Sequence, residues 1–213
     1  TMSVVCVSRH LGLTWVAIEA TTLASAPLIS FHRHHRSLEA TWKYLLICSV
    51  GIALALLGVF FVATAAKGHV RSLAMRELLS VAAEMDEAWL KAAFLLLLVG
   101  YGTKMGLAPM YTWLPDAHSE APSMVSALLS GALLNCAFIG LLRGHAVLSA
   151  AGLGRFSGDL LVLFGLLSMA AAAMFMIRQS DYKRMLAYSS VEHMGILALG
   201  AGMGGLAGTG AML

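Results

Sequence analysis

Two ionisable residues stand where the sequence offers almost nothing but hydrocarbon. Glu19 lies near the middle of the apolar run 11–31, and Lys104 follows twelve uncharged residues in the run 92–113. An ionised group at mid-bilayer costs on the order of 2.5 to 3.5 kcal/mol, so such residues face a partner or a wet cavity. A carboxylate and an ammonium on different helices offset part of that cost, either as a structural lock or as a titrating pair in an ion path. In the second case, separating them favours release of the lysine's proton, because the carboxylate stabilises the ammonium and desolvation favours the amine. A further pair, Glu192 and His193, sits well inside the run 185–206, and histidine exchanges protons near neutral pH.

The lysine is surrounded by helix breakers. Gly100, Gly102, Gly106 and Pro109 flank it, and Pro109 both lacks an N–H and obstructs the carbonyl of Met105, four residues earlier. The spacing predicts a helix broken next to a charge, the device by which transporters expose carbonyls and water to an ion. Val99-Gly100-Tyr101-Gly102 matches part of a potassium filter, but Leu98 replaces the filter threonine and Lys104 would repel the cation. Residues 113–122 read as a polar turn. In it Asp116, His118 and Glu120 alternate, a pattern that suits helix caps and interhelical hydrogen bonds better than a metal. Ser126 and Ser130, four apart, share a helical face, and Asn135 is offset from it; they can glue helices or hold a row of waters.

The elements that must position these groups follow from composition. Of the 213 residues 59 % are hydrophobic and 12 % charged, against about 25 % charged in soluble domains. The chain is therefore expected to be an all-α, polytopic transmembrane bundle. It has about six spans, at 11–31, 44–66, 92–113, 123–143, 158–178 and 185–206, each near the length a bilayer requires. Alternating strands for a barrel are not found. The connection 67–91 is either an amphipathic helix at the interface, with Trp89 at headgroup depth, or a partly ordered loop.

Other classes are excluded or unsupported. The net charge of +3 is spread over short connections, which gives nucleic acid no patch to bind. Cys6, Cys48 and Cys136 stand alone in apolar runs, so a zinc site or iron-sulfur cluster in this chain is not expected. His32, His34 and His35 with Arg33 and Arg36 form a solvated cationic connection. Placing alternate connections on opposite faces puts Arg33, Arg36, Lys43, Arg178, Lys183 and Arg184 on one side. Arg9, Lys67, Arg71, Arg76, Lys91, Arg143 and Arg155 then fall on the other, a near-tie that leaves orientation open. The apolar start and the glycine-rich run 200–210 suggest a piece of a longer polytopic chain.

Two long stretches carry a resemblance. GTKMGLAPMYTWLPDAHSEAP, from Gly102 to Pro122, and DYKRMLAYSSVEHMG, from Asp181 to Gly195, resemble signature segments of the antiporter-like, proton-translocating subunits. That family spans respiratory complex I, Mrp sodium/proton antiporters and group 4 nickel-iron hydrogenases. Leu128-Leu129-Ser130-Gly131 and Val191-Glu192-His193-Met194-Gly195 look most like component F of hydrogenase-4 and its formate hydrogenlyase relatives.

The resemblance implies inverted repeats of about five helices each, with this chain running from the end of the fourth helix to the start of the second repeat. Glu19 would be the fifth-helix glutamate, Lys104 the lysine of the broken seventh helix, and His193 part of the second repeat's hydrophilic axis. Ser130 and Asn135 stand where some complex I subunits carry His or Lys, so lateral transfer from Lys104 would use water held there. Gly106, Pro109, Asp116, His118, Glu120 and Lys183 would support the path, and Met124 replaces a common proline. No cofactor is expected in this chain. Its partners would be other membrane subunits and a peripheral electron-transfer arm bearing the nickel-iron centre and iron-sulfur clusters, in a bacterial or archaeal inner membrane. A complex I subunit, an Mrp-type antiporter and a membrane scaffold without transport are the competing readings.

Overall fold

Hydrocarbon offers a backbone no hydrogen-bonding partner, so each apolar run must close its own bonds as a helix. In the computed structural model, residues 1–32, 34–70 and 72–205 are described; Arg33, Arg71 and residues 206–213 lie outside the described residues. The described residues form ten α-helices and no strand. They are α1 (Met2–Val7), α2 (Leu11–Ile29), α3 (His35–Ala65), α4 (Met75–Val81), α5 (Glu87–Met105), α6 (Trp113–Glu120), α7 (Ser123–Leu128), α8 (Leu134–Ala150), α9 (Gly154–Met176) and α10 (Tyr182–Met203). Five segments are long and apolar enough to cross a membrane: α2, α3, α5, the continuous stretch from α7 to α8, and α9. The sixth expected span, α10, carries Lys183, Arg184, Glu192 and His193 and packs along α9.

Several boundaries differ from the sequence expectation for physical reasons. α3 starts at His35, nine residues before the apolar run, because Glu39 and Lys43 pair one turn apart at 2.8 Å and extend the helix into polar surroundings. α5 starts at Glu87, capped by the Asp86 carboxylate, which accepts the Trp89 N–H at 3.0 Å. Among its described residues the 67–91 connection holds the seven-residue α4, a 3-10 turn, Ala82–Glu84, and the start of α5. It is clasped to the chain's start by Leu11 N–H to Leu73 O and Met75 N–H to Arg9 O. Arg143, expected at a helix end, lies inside α8, where its guanidinium bonds the Thr14 hydroxyl and the Val5 carbonyl.

The break after Lys104 is present, but Gly106 makes it. This residue adopts φ 80°, in the left-handed region open to glycine, and Leu107 N–H returns to Gly102 O at 2.8 Å. Residues 113–122, expected as a turn, begin with the helix α6 instead. Pro115 occupies its third position, where backbone N–H groups have no intrahelical acceptor, so the proline is tolerated. The freed backbone is then satisfied from two sides: Trp113 Nε1 donates to Thr103 O at 2.8 Å, and Ala108 N–H donates to the Ser168 hydroxyl at 2.8 Å.

Helix pairing relies on close backbone approach. On α9 and α10, Gly158 faces Gly202 and Gly165 faces Gly195, and a methyl at Gly165 would lie 2.7 Å from the Gly195 carbonyl oxygen. Lipid tails are as apolar as leucine, so such contact, rather than exclusion of water, holds membrane helices together.

Candidate functional site

The last turn of α5 delivers Lys104 into a centre enclosed by α2, α3 and α6. Its side chain is fully buried. Nζ donates to the Tyr44 hydroxyl at 2.6 Å and lies 4.4 Å from the Tyr44 ring centroid and 5.9 Å from that of Trp113. Tyr44 and Trp113 pack at 5.0 Å, so two aromatic faces shelter the cation. The Tyr44 hydroxyl in turn lies 2.7 Å from Ser25 Oγ on α2.

The expected meeting of Glu19 and Lys104 takes a different form. Glu19 is partly buried and its Oε2 accepts from the Thr22 hydroxyl at 3.2 Å, but it makes no ion pair with Lys104. The amine's hydrogen-bond partner is instead Tyr44, which also bonds Ser25 of α2. The acid still faces the amine electrostatically, as do Cys48 and Cys136. Tyr44 and Ser25 were not singled out from sequence. A tyrosine opening an apolar run reads as a residue of the interfacial belt, whereas α3 begins nine residues earlier and carries it inward.

α6 links this centre to a second one. Trp113 stands at its start, and His118, five residues on, is buried with Nδ1 2.7 Å from Ser126 Oγ and Nε2 without a partner. Burial pushes the His118 pKa down to about 4. His118 also lines a groove of about 780 Å³ with Ser126, Ser130, Asn135, Lys183 and His193. Ser130 and Ser190 Oγ atoms lie 2.8 Å apart across it, and Asn135 donates to Gly131 O at 2.8 Å.

Asn135, offset in a regular helix, joins this face because Leu129–Leu133 form a π turn. Its wider winding brings residues five apart into line. His193 Nδ1 lies 2.6 Å from Ser189 O; a carbonyl only accepts, so this nitrogen carries the proton. Glu192 and Lys104 are not among the groove's lining residues. The expected axis is thus two polar centres joined by α6.

The remaining charges brace α6. Asp116 binds Lys43 of α3 at 3.1 Å and Arg184 of α10 at 2.6 Å, and Glu120 pairs with His34 at 3.2 Å. Lys183 donates to Ala121 O at 3.1 Å, satisfying a carbonyl just past the helix end. Asp116, His118 and Glu120 therefore face different partners, and no group of three or more metal-ligating side chains occurs among the described residues.

Comparison with known proteins extends this picture. The hydrogenase-4 component F homolog of Methylacidiphilum infernorum is 43 % identical over 208 residues, 96 % of this chain and 44 % of its own length. NADH-quinone oxidoreductase subunit N of Deinococcus radiodurans is 36 % identical over 193 residues, 90 % of this chain and 38 % of its own. A chain of respiratory complex I from Thermus thermophilus, solved with bound aureothin, superposes with a TM-score of 0.78 at 32 % identity, covering 94 % of this chain and 42 % of that one. The chain thus spans less than half the length of these relatives. Residues 8–213 match the family described as NADH:quinone oxidoreductase/Mrp antiporter, transmembrane, and this multi-pass membrane chain belongs to it.

Proposed function

We propose that the chain is part of a proton-translocating membrane subunit of a group 4 nickel-iron hydrogenase or formate hydrogenlyase complex, in a bacterial or archaeal inner membrane. In this reading Lys104 is the proton carrier and Glu19 the carboxylate that loads it. Water held by Ser130 and Asn135 continues the path toward Glu192 and His193. Gly106 and Pro109 open the helix at the carrier, while Asp116, His118, Glu120 and Lys183 position α6 beside it. The nickel-iron centre and iron-sulfur clusters belong to partner subunits of a peripheral arm, whose electron transfer supplies the energy.

One observation carries the proposal: a lysine with no exposed surface, whose amine bonds a neutral hydroxyl and no carboxylate among the described residues, stands at the end of a broken helix. A group held so can gain or lose charge at modest cost when its surroundings move, as a proton carrier requires. The 43 % identity to a hydrogenase-4 component F homolog favours the hydrogenase branch. The 36 % identity to a subunit N keeps a complex I role as the second reading.

Lys104→Ala in the reconstituted complex tests both against a scaffold. Loss of proton pumping with assembly intact is expected; unchanged pumping removes Lys104 from the mechanism. Repeating the assay with a protonophore, and with sodium withdrawn, separates proton from sodium transport.

A further inference from the structure

Tyr44 bonds Lys104 on α5 and Ser25 on α2, and it is wholly buried. The directions of these bonds follow from valence. An ammonium only donates, so the Tyr44 oxygen accepts from Lys104, and with the single Ser25 hydrogen directed to the Thr22 carbonyl the phenol hydrogen points to Ser25. The Ser25 hydroxyl passes its hydrogen on to the Thr22 carbonyl at 3.2 Å. Each donor is polarised by the next, and the phenol presents a lone pair to Nζ.

A neutral amine has the opposite need, because it can accept through its lone pair. A hydroxyl meets both needs, since the phenol hydrogen can turn from Ser25 to Nζ. A carboxylate accepts only, and a phenylalanine ring at this position would leave the buried amine with no oxygen in either state.

We propose that Tyr44 is a positioning residue for Lys104: its hydroxyl partners the amine in both charge states and so sets the pH at which the lysine changes charge. This rests on Lys104 being the proton carrier. The other groups facing the amine are Glu19 from α2, Cys48 from α3 and Cys136 from α8, while α6 contributes the uncharged Trp113 ring. Glu19 is the carboxylate among them, and Tyr44 stands on the amine in its place.

The test measures proton pumping by the assembled complex in proteoliposomes, driven by its own electron transfer, between pH 6 and pH 9. Tyr44→Phe keeps the ring and removes the acceptor. The alkaline limb of its profile moves to lower pH by about one unit, the scale of one lost hydrogen bond to a charged group. Ser25→Ala, which leaves the phenol in place but unsupported, moves it less and in the same direction.

A Tyr44→Phe profile that overlays the parent's, while Lys104→Ala abolishes pumping, overturns the Tyr44 proposal alone. Pumping retained in Lys104→Ala overturns the carrier reading, and this proposal with it. Where Tyr44→Phe fails to assemble, Ser25→Ala decides: a shifted limb supports the proposal and an unshifted one refutes it.

Discussion

Across the break in the chain, the Trp113 indole donates its N–H to the Thr103 carbonyl at 2.8 Å, tying the start of α6 to the residue before Lys104. Both residues are buried, and the carbonyl sits in the last turn of α5, where the Gly106 N–H reaches it only at 3.3 Å and the indole supplies the shorter bond. This bond, with Ala108 N–H on Ser168, makes the break a fixed joint instead of a frayed end.

Trp113→Phe therefore removes the donor while keeping an aromatic face over Lys104. The Thr103 carbonyl keeps the longer Gly106 bond at 3.3 Å, so losing the indole donor costs about 0.5 to 1.5 kcal/mol, and the smaller ring adds a packing loss. The purified complex should melt several degrees lower in detergent. Ser168→Ala, which deprives the Ala108 N–H of its acceptor, should act similarly. Melting temperatures equal to the parent's in both variants would show that water replaces these bonds freely.

Glu19→Gln separates a structural from a functional acid. Removing one partner of a buried ion pair costs about 3 to 5 kcal/mol, but Lys104 is held by Tyr44, so the glutamine variant should assemble and melt within about 0.5 kcal/mol of the parent. Its proton pumping at neutral pH should nevertheless fall. A large loss of thermal stability with pumping intact would return Glu19 to the role of a lock.

Much of this was legible in the sequence because the decisive signals are local. Gly106 and Pro109 mark the break, and the length of apolar sequence before Lys104 marks its burial. What sequence concealed depends on neighbours. Tyr44 looks like an interfacial residue until α3 is seen to start at His35. The α6 helix hides behind Pro115, harmless only because it falls in a first turn. Asn135 leaves the serine face in any regular helix, and only the π turn at Leu129–Leu133 returns it to the groove. The pairing of Asp116 with both Lys43 and Arg184 joins residues far apart in the chain, and no spacing rule announces it.

The glycine pairs between α9 and α10 predict a positional contrast. A side chain at Gly165 would strike the Gly195 carbonyl and the Leu199 backbone, so Gly165→Leu must push the helices apart. Overpacking of this kind costs about 1 to 3 kcal/mol or more, and the variant should accumulate poorly in membranes. Gly131→Ala, where a methyl meets nothing within 4 Å, should accumulate like the parent. Equal membrane levels of the two variants would show that the helices slide past the obstruction.

His118 predicts an acid limit to stability. Its folded pKa, about 4, lies below its ordinary value of 6.5 because burial disfavours the charged ring. The neutral ring's contribution is therefore complete above pH 6.5 and is lost progressively as pH falls toward 4, where the unfolded chain binds a proton that the folded one resists. At 1.36 kcal/mol per unit the loss amounts to about 3 kcal/mol at most. Melting curves of the purified complex between pH 4 and pH 8 should show the parent weakening below pH 6.5 and His118→Gln weakening distinctly less. Parallel decline of the two would show that the acid sensitivity does not arise at His118.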